Sequence, residues 1–232
     1  MPYQSPEITD ANQPSKAMET APKTWNWLKA VGIILMIIGI VVLSTPLWIR
    51  SNREKGSPEV LNNARQIGLA LYEFETEYGC LPDEGTISKV KANDPTALAL
   101  GTKTSNDFFR QLIVAKIAQS EGMFYAKVKG ARKPDNIVTA GEVLKKGECG
   151  FSYLASQTAA GNTPLLVTPL IPGTDRFDPE PFEGKAMILK RDNSVTSLPI
   201  RKDGHVWING MNLLDPNHPI WAGKPPVIFW PE

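Results

Sequence analysis

Residues 57–79 read SPEVLNNARQIGLALYEFETEYG, and the spacing of their apolar members decides the fold. Val60, Ala64, Ile67, Leu71, Phe74 and Tyr78 recur at alternating intervals of four and three, which is one stripe of an α-helix. Asn62, Asn63, Arg65, Gln66, Glu73, Glu75 and Glu77 fall largely on the other faces. Ser57 suits an N-cap, and Pro58 suits the first helical position, where a missing N–H costs nothing. Gly79 can take the left-handed conformation that ends a helix, and Pro82 prevents its continuation. The spacing therefore predicts a helix over 58–78 with one apolar face. That face needs an apolar surface to lie on.

Upstream, residues 30–49 read AVGIILMIIGIVVLSTPLWI and carry no charge. A helix of that length reaches about 30 Å, the thickness of a bilayer's hydrocarbon core. Trp25 and Trp27 stand at one end and Trp48 at the other, where amphipathic rings favour the headgroup region. Lys29 and Arg50 close the run. We read residues 25–50 as a single transmembrane helix, so the membrane is the first partner. A cleaved signal peptide fits less well, because Ser44-Thr45-Pro46 puts a proline where cleavage would fall. Residues 1–24 hold Pro2, Pro6, Pro14 and Pro22 with almost nothing to bury, which reads as a disordered tail. Charge does not orient the span: Lys16, Lys23 and Lys29 precede it, and Arg50, Arg53, Lys55 and Arg65 follow.

Downstream, residues 51–232 have the length of one ordinary globular domain. The formal net charge is +1, which supplies no field for nucleic acid. Twenty prolines and eighteen glycines favour a loop-rich, sheet-containing fold over a helical bundle. Residues 106–118, NDFFRQLIVAKIA, read as a second helix capped by Ser105 or Asn106, and a helical turn is expected near Ile87–Val90. Short strands follow at residues 122–126, 151–155, 164–171, 186–189 and 194–198, with an edge strand at 206–208. Asp192-Asn193 between two β-prone runs is a hairpin signal, since both residues tolerate positive φ. The expected class is α+β: a transmembrane helix, then an amphipathic helix packed on a small antiparallel sheet between about 122 and 210. The aromatic and proline-rich end, 211–232, should wrap the domain and cover a sheet edge; the alternative is an exposed apolar patch for a partner.

Few residues point to chemistry. His205 and His218, with Asp203 and Asp215 close by, have the ligand types for a metal, but both stretches are turn compositions. Asp175, Asp178, Glu180 and Glu183 lie in GTDRFDPEPFEG and could offer oxygen ligands to calcium. They do not follow the EF-hand pattern, and a solvated acidic loop is the reading we prefer. Gly101-Thr102-Lys103-Thr104 lacks the second glycine of a phosphate-binding loop. No G-x-S-x-G, H-E-x-x-H or C-x-x-C occurs in the sequence. We therefore expect neither a catalytic nor a cofactor-binding residue.

The order of these parts resembles the pilin and pseudopilin group. NNARQIGLALYEFETEYGCLPD is similar to the segment after the hydrophobic helix in pilin-like proteins of type II secretion systems and type IV pili. The stretch AMILKRDNSVTSLPI resembles the strand–turn–strand near the end of one branch, where Asp-Gly more often occupies the turn. From Ser88 to Glu232 the chain resembles pilin-like proteins of a Verrucomicrobia-type branch. The resemblance implies an inner-membrane, single-pass protein with its C-terminal domain in the periplasm, a structural role, and pilin-like or secretion-system subunits as partners. Several features depart from the group: no glycine precedes the run as at the group's cleavage site, and Gly56-Ser57-Pro58 separates two halves that form one long helix in the group. No glutamate lies inside the apolar run, and the residue five beyond Gly32 is Ile37. An exported domain with two cysteines permits a Cys80–Cys149 disulfide; two unpaired thiols are the alternative. The competing functional class is a membrane-anchored envelope binding module, or an enzyme, with its site in the C-terminal loops.

Overall fold

A computed structural model describes residue 27 and residues 29–40, 56–93, 100–138 and 143–232. The chain divides into two units, Met1–Trp48 and Ile49–Glu232, which are taken separately. In the first, residues 29–40 are helical (α1). The large apolar side chains from Ile33 to Ile40 are all more than half exposed. Among the described residues no helix is long and apolar enough to cross a membrane. The tail at 1–24 and the second half of the apolar run, residues 41–49, lie outside the described residues.

The second unit begins with α2, Gly56–Tyr78, two residues earlier than its proline signal suggested. The six stripe residues are all buried, with Ile67, Leu71 and Phe74 fully so. Burying an aliphatic or aromatic side chain of this size contributes about 1.5–3 kcal/mol, so the stripe outweighs the helix's own modest propensities. Gly79 ends the helix at φ +84°, and its N–H donates to Glu75 O over 2.9 Å. Ile87–Asn93 forms the short α3.

Helix α4 spans Ser105–Val114. Its cap is Thr104, not Ser105 or Asn106. The Thr104 hydroxyl accepts from the Asp107 N–H, and the Asp107 carboxylate accepts from the Thr104 N–H. That reciprocal pair is a capping box, which needs an acid three residues on, and only Thr104 has one. Residues 101–104 therefore serve α4, with the Lys103 and Thr104 N–H groups both donating to Asp107 Oδ2.

Among the described residues seven short strands follow: β1 Ser152–Ala155, β2 Pro164–Thr168, β3 Lys185–Lys190, β4 Val195–Pro199, β5 Trp207–Ile208, β6 Met211–Asn212 and β7 Val227–Phe229. Five of them make an antiparallel sheet in the order β4-β3-β2-β1-β7. The fold is α+β. Alternation divides the strands between two cores. Tyr153, Leu166, Met187 and Leu189 face the helices α2 and α4, while Leu154, Val167, Ala186 and Ile188 face Val206, Leu213, Leu214 and Trp221. Both faces are covered, which is why β2 and β3 read as nearly continuous apolar runs instead of alternating. A bulge between Pro164 and Leu166 puts Leu165 on the helix side as well.

The hairpin β3–β4 turns at Asp192-Asn193, with Asn193 at φ +61° and the Asp192 carboxylate accepting the Ser194 N–H at 2.9 Å. Its tip reaches α2 beside Gly68. A Cβ there would sit 2.1 Å from Asn193 Oδ1, so glycine permits the approach.

Three strand expectations differ from the structure. Residues 122–126 are not a strand: Glu121–Phe124 is a 3₁₀ turn capped by Ser120. An apolar run of four or five does not distinguish the two. The expected edge strand at 206–208 leaves the main sheet, and β5 pairs with β6 across Asn209-Gly210 instead. Both turn residues have positive φ, as a tight two-residue hairpin requires. The sheet also extends past 210, because β7 pairs with β1. Phe229 anchors that edge, its ring centroid 4.4 Å from that of Phe108. The aromatic end packs inward elsewhere too. Trp221 is fully buried with its Nε1–H on Leu213 O (3.0 Å), and the Trp230 Nε1–H donates to Thr174 O (2.9 Å).

Candidate functional site

A cleft of about 610 Å³ lies at the C-terminal end of α2. Glu75 lines it from the helix, Leu81 and Asp83 from the turn after it, Tyr153 from β1, Arg191 from the hairpin tip, and Lys224 from the approach to β7. Its position follows from the fold: Gly79 and Pro82 turn the chain across the end of the sheet just where the hairpin folds back. The floor is apolar and aromatic. The walls carry two cations and two carboxylates.

Arg191 and Glu75 form an ion pair across the cleft. The Tyr153 hydroxyl donates to Pro82 O at 3.2 Å, and burial raises its pKa, with Asp83 adding to the rise. Asp83 is itself held in place: its Oδ1 accepts the Thr86 N–H at 2.8 Å, and its own N–H donates to the Thr86 hydroxyl at 3.0 Å. The Cys80 thiol lies 4.0 Å from Asp83 Oδ2. Burial pushes its pKa up and the Asp83 charge adds to that, so Cys80 stays a protonated, weakly nucleophilic thiol at neutral pH. The cleft can hold a small polar molecule between opposite charges.

Cys80 and Cys149 are both free, so the disulfide permitted by the sequence is not formed. Cys149 is buried in the helix-side core, its Sγ 3.7 Å from the Ser105 hydroxyl and donating to Phe151 O at 3.5 Å. Burial pushes its pKa up to about 11. It behaves as a small core residue.

The four acids of the 175–183 loop are not brought together. Asp178 Oδ1 accepts the Glu180 N–H at 2.9 Å, and Asp175 Oδ2 lies 3.3 Å from His205 Nε2. What the loop buries is Phe177 and Phe182. His205 sits between Asp175 and Asp203 at the surface, its Nδ1 3.5 Å from Asp203 Oδ1. His218 is buried. Its Nδ1 accepts the Ile220 N–H at 3.0 Å, which leaves Nε2 to donate to Ile208 O at 3.1 Å. Asp215 Oδ1 accepts the Asn217 N–H at 2.8 Å and shapes the turn ahead of His218. His218 is thus a staple between two loops. Its ring nitrogens are both engaged.

Among the described residues one set of three acids does converge: Glu121, Asp135 and Glu148, with a carboxylate oxygen of each within 4.8 Å of the others. Sequence reading passed over them because they lie far apart in the chain and fit no ligand spacing. A signal was present for two of them. Glu121 and Glu148 each stand beside an apolar segment that must be buried, where an acid is rarely left without a purpose.

Compared with family models, curated proteins and solved structures, the chain matches none at a significant level.

Proposed function

We propose that this protein is a membrane-anchored, pilin-like component of the cell envelope with a structural role, its apolar run in the inner membrane and its α+β domain in the periplasm. The observation that carries this reading is the two-sidedness of α2. Its inner stripe is consumed by the sheet, while Leu69 and Tyr72 stand 59% and 70% exposed on the outer face, with Arg65 and Glu73 exposed beside them. An apolar pair rimmed by opposite charges, on the helix that follows the apolar run, suits contact with a neighbouring subunit. Site-specific crosslinking from position 69 or 72 in native membranes tests it. A ladder of multimers, lost on reversing Arg65 or Glu73 while the monomer stays folded, supports an envelope assembly. A strictly monomeric product counts against it.

The cleft at the end of α2 favours a second reading, an anchored envelope module that binds a small polar ligand. Arg191→Ala would then abolish ligand binding without affecting crosslinks from α2.

A further inference from the structure

Glu121, Asp135 and Glu148 come from three segments: the 3₁₀ turn after α4, the loop that follows, and the residues leading to β1. Glu121 and Glu148 are 0% and 1% exposed, whereas Asp135 opens to solvent. Such acids are seldom fully buried without partners. Glu148 Oε1 lies 3.2 Å from Arg132, and Oε2 accepts the Lys145 N–H at 2.8 Å. Asp135 accepts from the Ile137 N–H at 3.0 Å and from Lys145 Nζ at 2.9 Å. Glu121 Oε1 accepts the Leu144 N–H at 2.5 Å. Glu121 Oε2 is buried and has no hydrogen-bond partner.

That last oxygen makes this more than a surface cluster of acids. A buried acceptor with no donor is costly, more so when charged, and folding has nonetheless placed the Glu121 carboxylate against two others. Burial pushes the Glu121 pKa up, the Leu144 N–H opposes that, and Glu148 and Asp135 add to the rise. Among the described residues Arg132 pairs with Glu148 and Lys145 with Asp135.

We propose that Glu121, Asp135 and Glu148 form a binding site for a hard divalent cation, with Glu121 Oε2 as the buried ligand. All the donors are carboxylate oxygens, and there is no histidine or thiol among them, which selects calcium or magnesium chemistry over zinc. The two buried glutamates fix the inner side. Asp135 stands at the rim, where water completes the coordination shell. A cation arriving there displaces the Lys145 ammonium from Asp135, and the partly exposed lysine moves into solvent. The site ties together three loops beside α4 that share no sheet pairing.

The test is calorimetric titration and thermal melting of the full chain in detergent, stripped with chelator and then given calcium, magnesium or manganese chloride. Saturable binding of one ion with a rise in Tm is expected. Glu121→Gln keeps the shape of the side chain and should weaken binding at least tenfold, while Lys145→Met removes the competing ammonium and should tighten it severalfold. Neutralising Asp178 and Glu180 together should change nothing. The proposal is overturned if no ion raises Tm. It is equally overturned if Glu121→Gln responds to the ion as the wild type does, or if it melts higher than a wild type that ignores all three ions, which would mark Glu121 as merely a protonated buried acid.

Discussion

Leu69 and Leu71 have the same side chain, two positions apart on α2, in opposite environments. Leu71 is 0% exposed within the helix-side core and Leu69 is 59% exposed. Leu71→Ala removes buried carbons and leaves a cavity bounded by α2 and the sheet, whose backbone pairing resists collapse; the cost is about 2–5 kcal/mol. Leu69→Ala removes groups already largely in water and should stay within about 0.5 kcal/mol. For a domain of this size each kcal/mol shifts Tm by roughly 2–4 °C. Leu71→Ala should therefore melt roughly 6–12 °C lower for a loss of about 3 kcal/mol, and Leu69→Ala within about 2 °C of wild type. Far-UV circular dichroism of the purified chain reads both, with a urea series to check that the denaturant slope is unchanged. Equal losses at the two positions would refute the assignment of the buried stripe. A large loss at 69 with none at 71 would mean the helix is rotated on the sheet.

Asn63 donates to Gly122 O and Tyr125 O from the buried side of α2; Gly122 O also accepts the Tyr125 N–H, so Asn63→Ala strands the Tyr125 carbonyl and should cost about 1–3 kcal/mol by urea denaturation. Thr104→Ala removes the cap of α4 and should cost about 0.5–2 kcal/mol, whereas Ser105→Ala leaves that cap intact. Cys149 has its folded pKa raised from 9.0 to about 11. The stability it contributes is whole below pH 9 and drains away between pH 9 and 11, a loss on the order of 2–3 kcal/mol. Cys149→Ala should flatten that alkaline fall. Under denaturing, non-reducing conditions a thiol assay should count two free thiols, and a count of zero would restore the bridge.

What was legible in the sequence was local and repetitive. The stripe on α2 announces itself because intervals of four and three alternate across six apolar residues, and the β3–β4 hairpin because Asp192-Asn193 sits between two β-prone runs. Glu121–Phe124 defeated the reading since a single apolar turn is too short to show a period. Strand β7 was hidden among prolines, and its pairing depends on a β1 edge that no local pattern reveals. Asn63 looked like a polar-face residue because its partners are backbone carbonyls sixty residues away. The acid cluster is the extreme case: its three members are neighbours only through the packing of loops.

The sheet carries a consequence for the order in which the protein can be made. Strand β1 is an interior strand, yet one of its two partners is β7, the last strand in the chain. A nascent domain that has emerged through β4 can align β1 to β4 but presents β1 with a bare edge and leaves Tyr153 and Phe108 without Phe229. Pairings so distant in sequence form late, and an uncovered edge invites a foreign strand. During synthesis, then, the interval between the emergence of residues 199 and 227 is when this domain most needs a chaperone, and shortening that interval should raise the yield of folded protein.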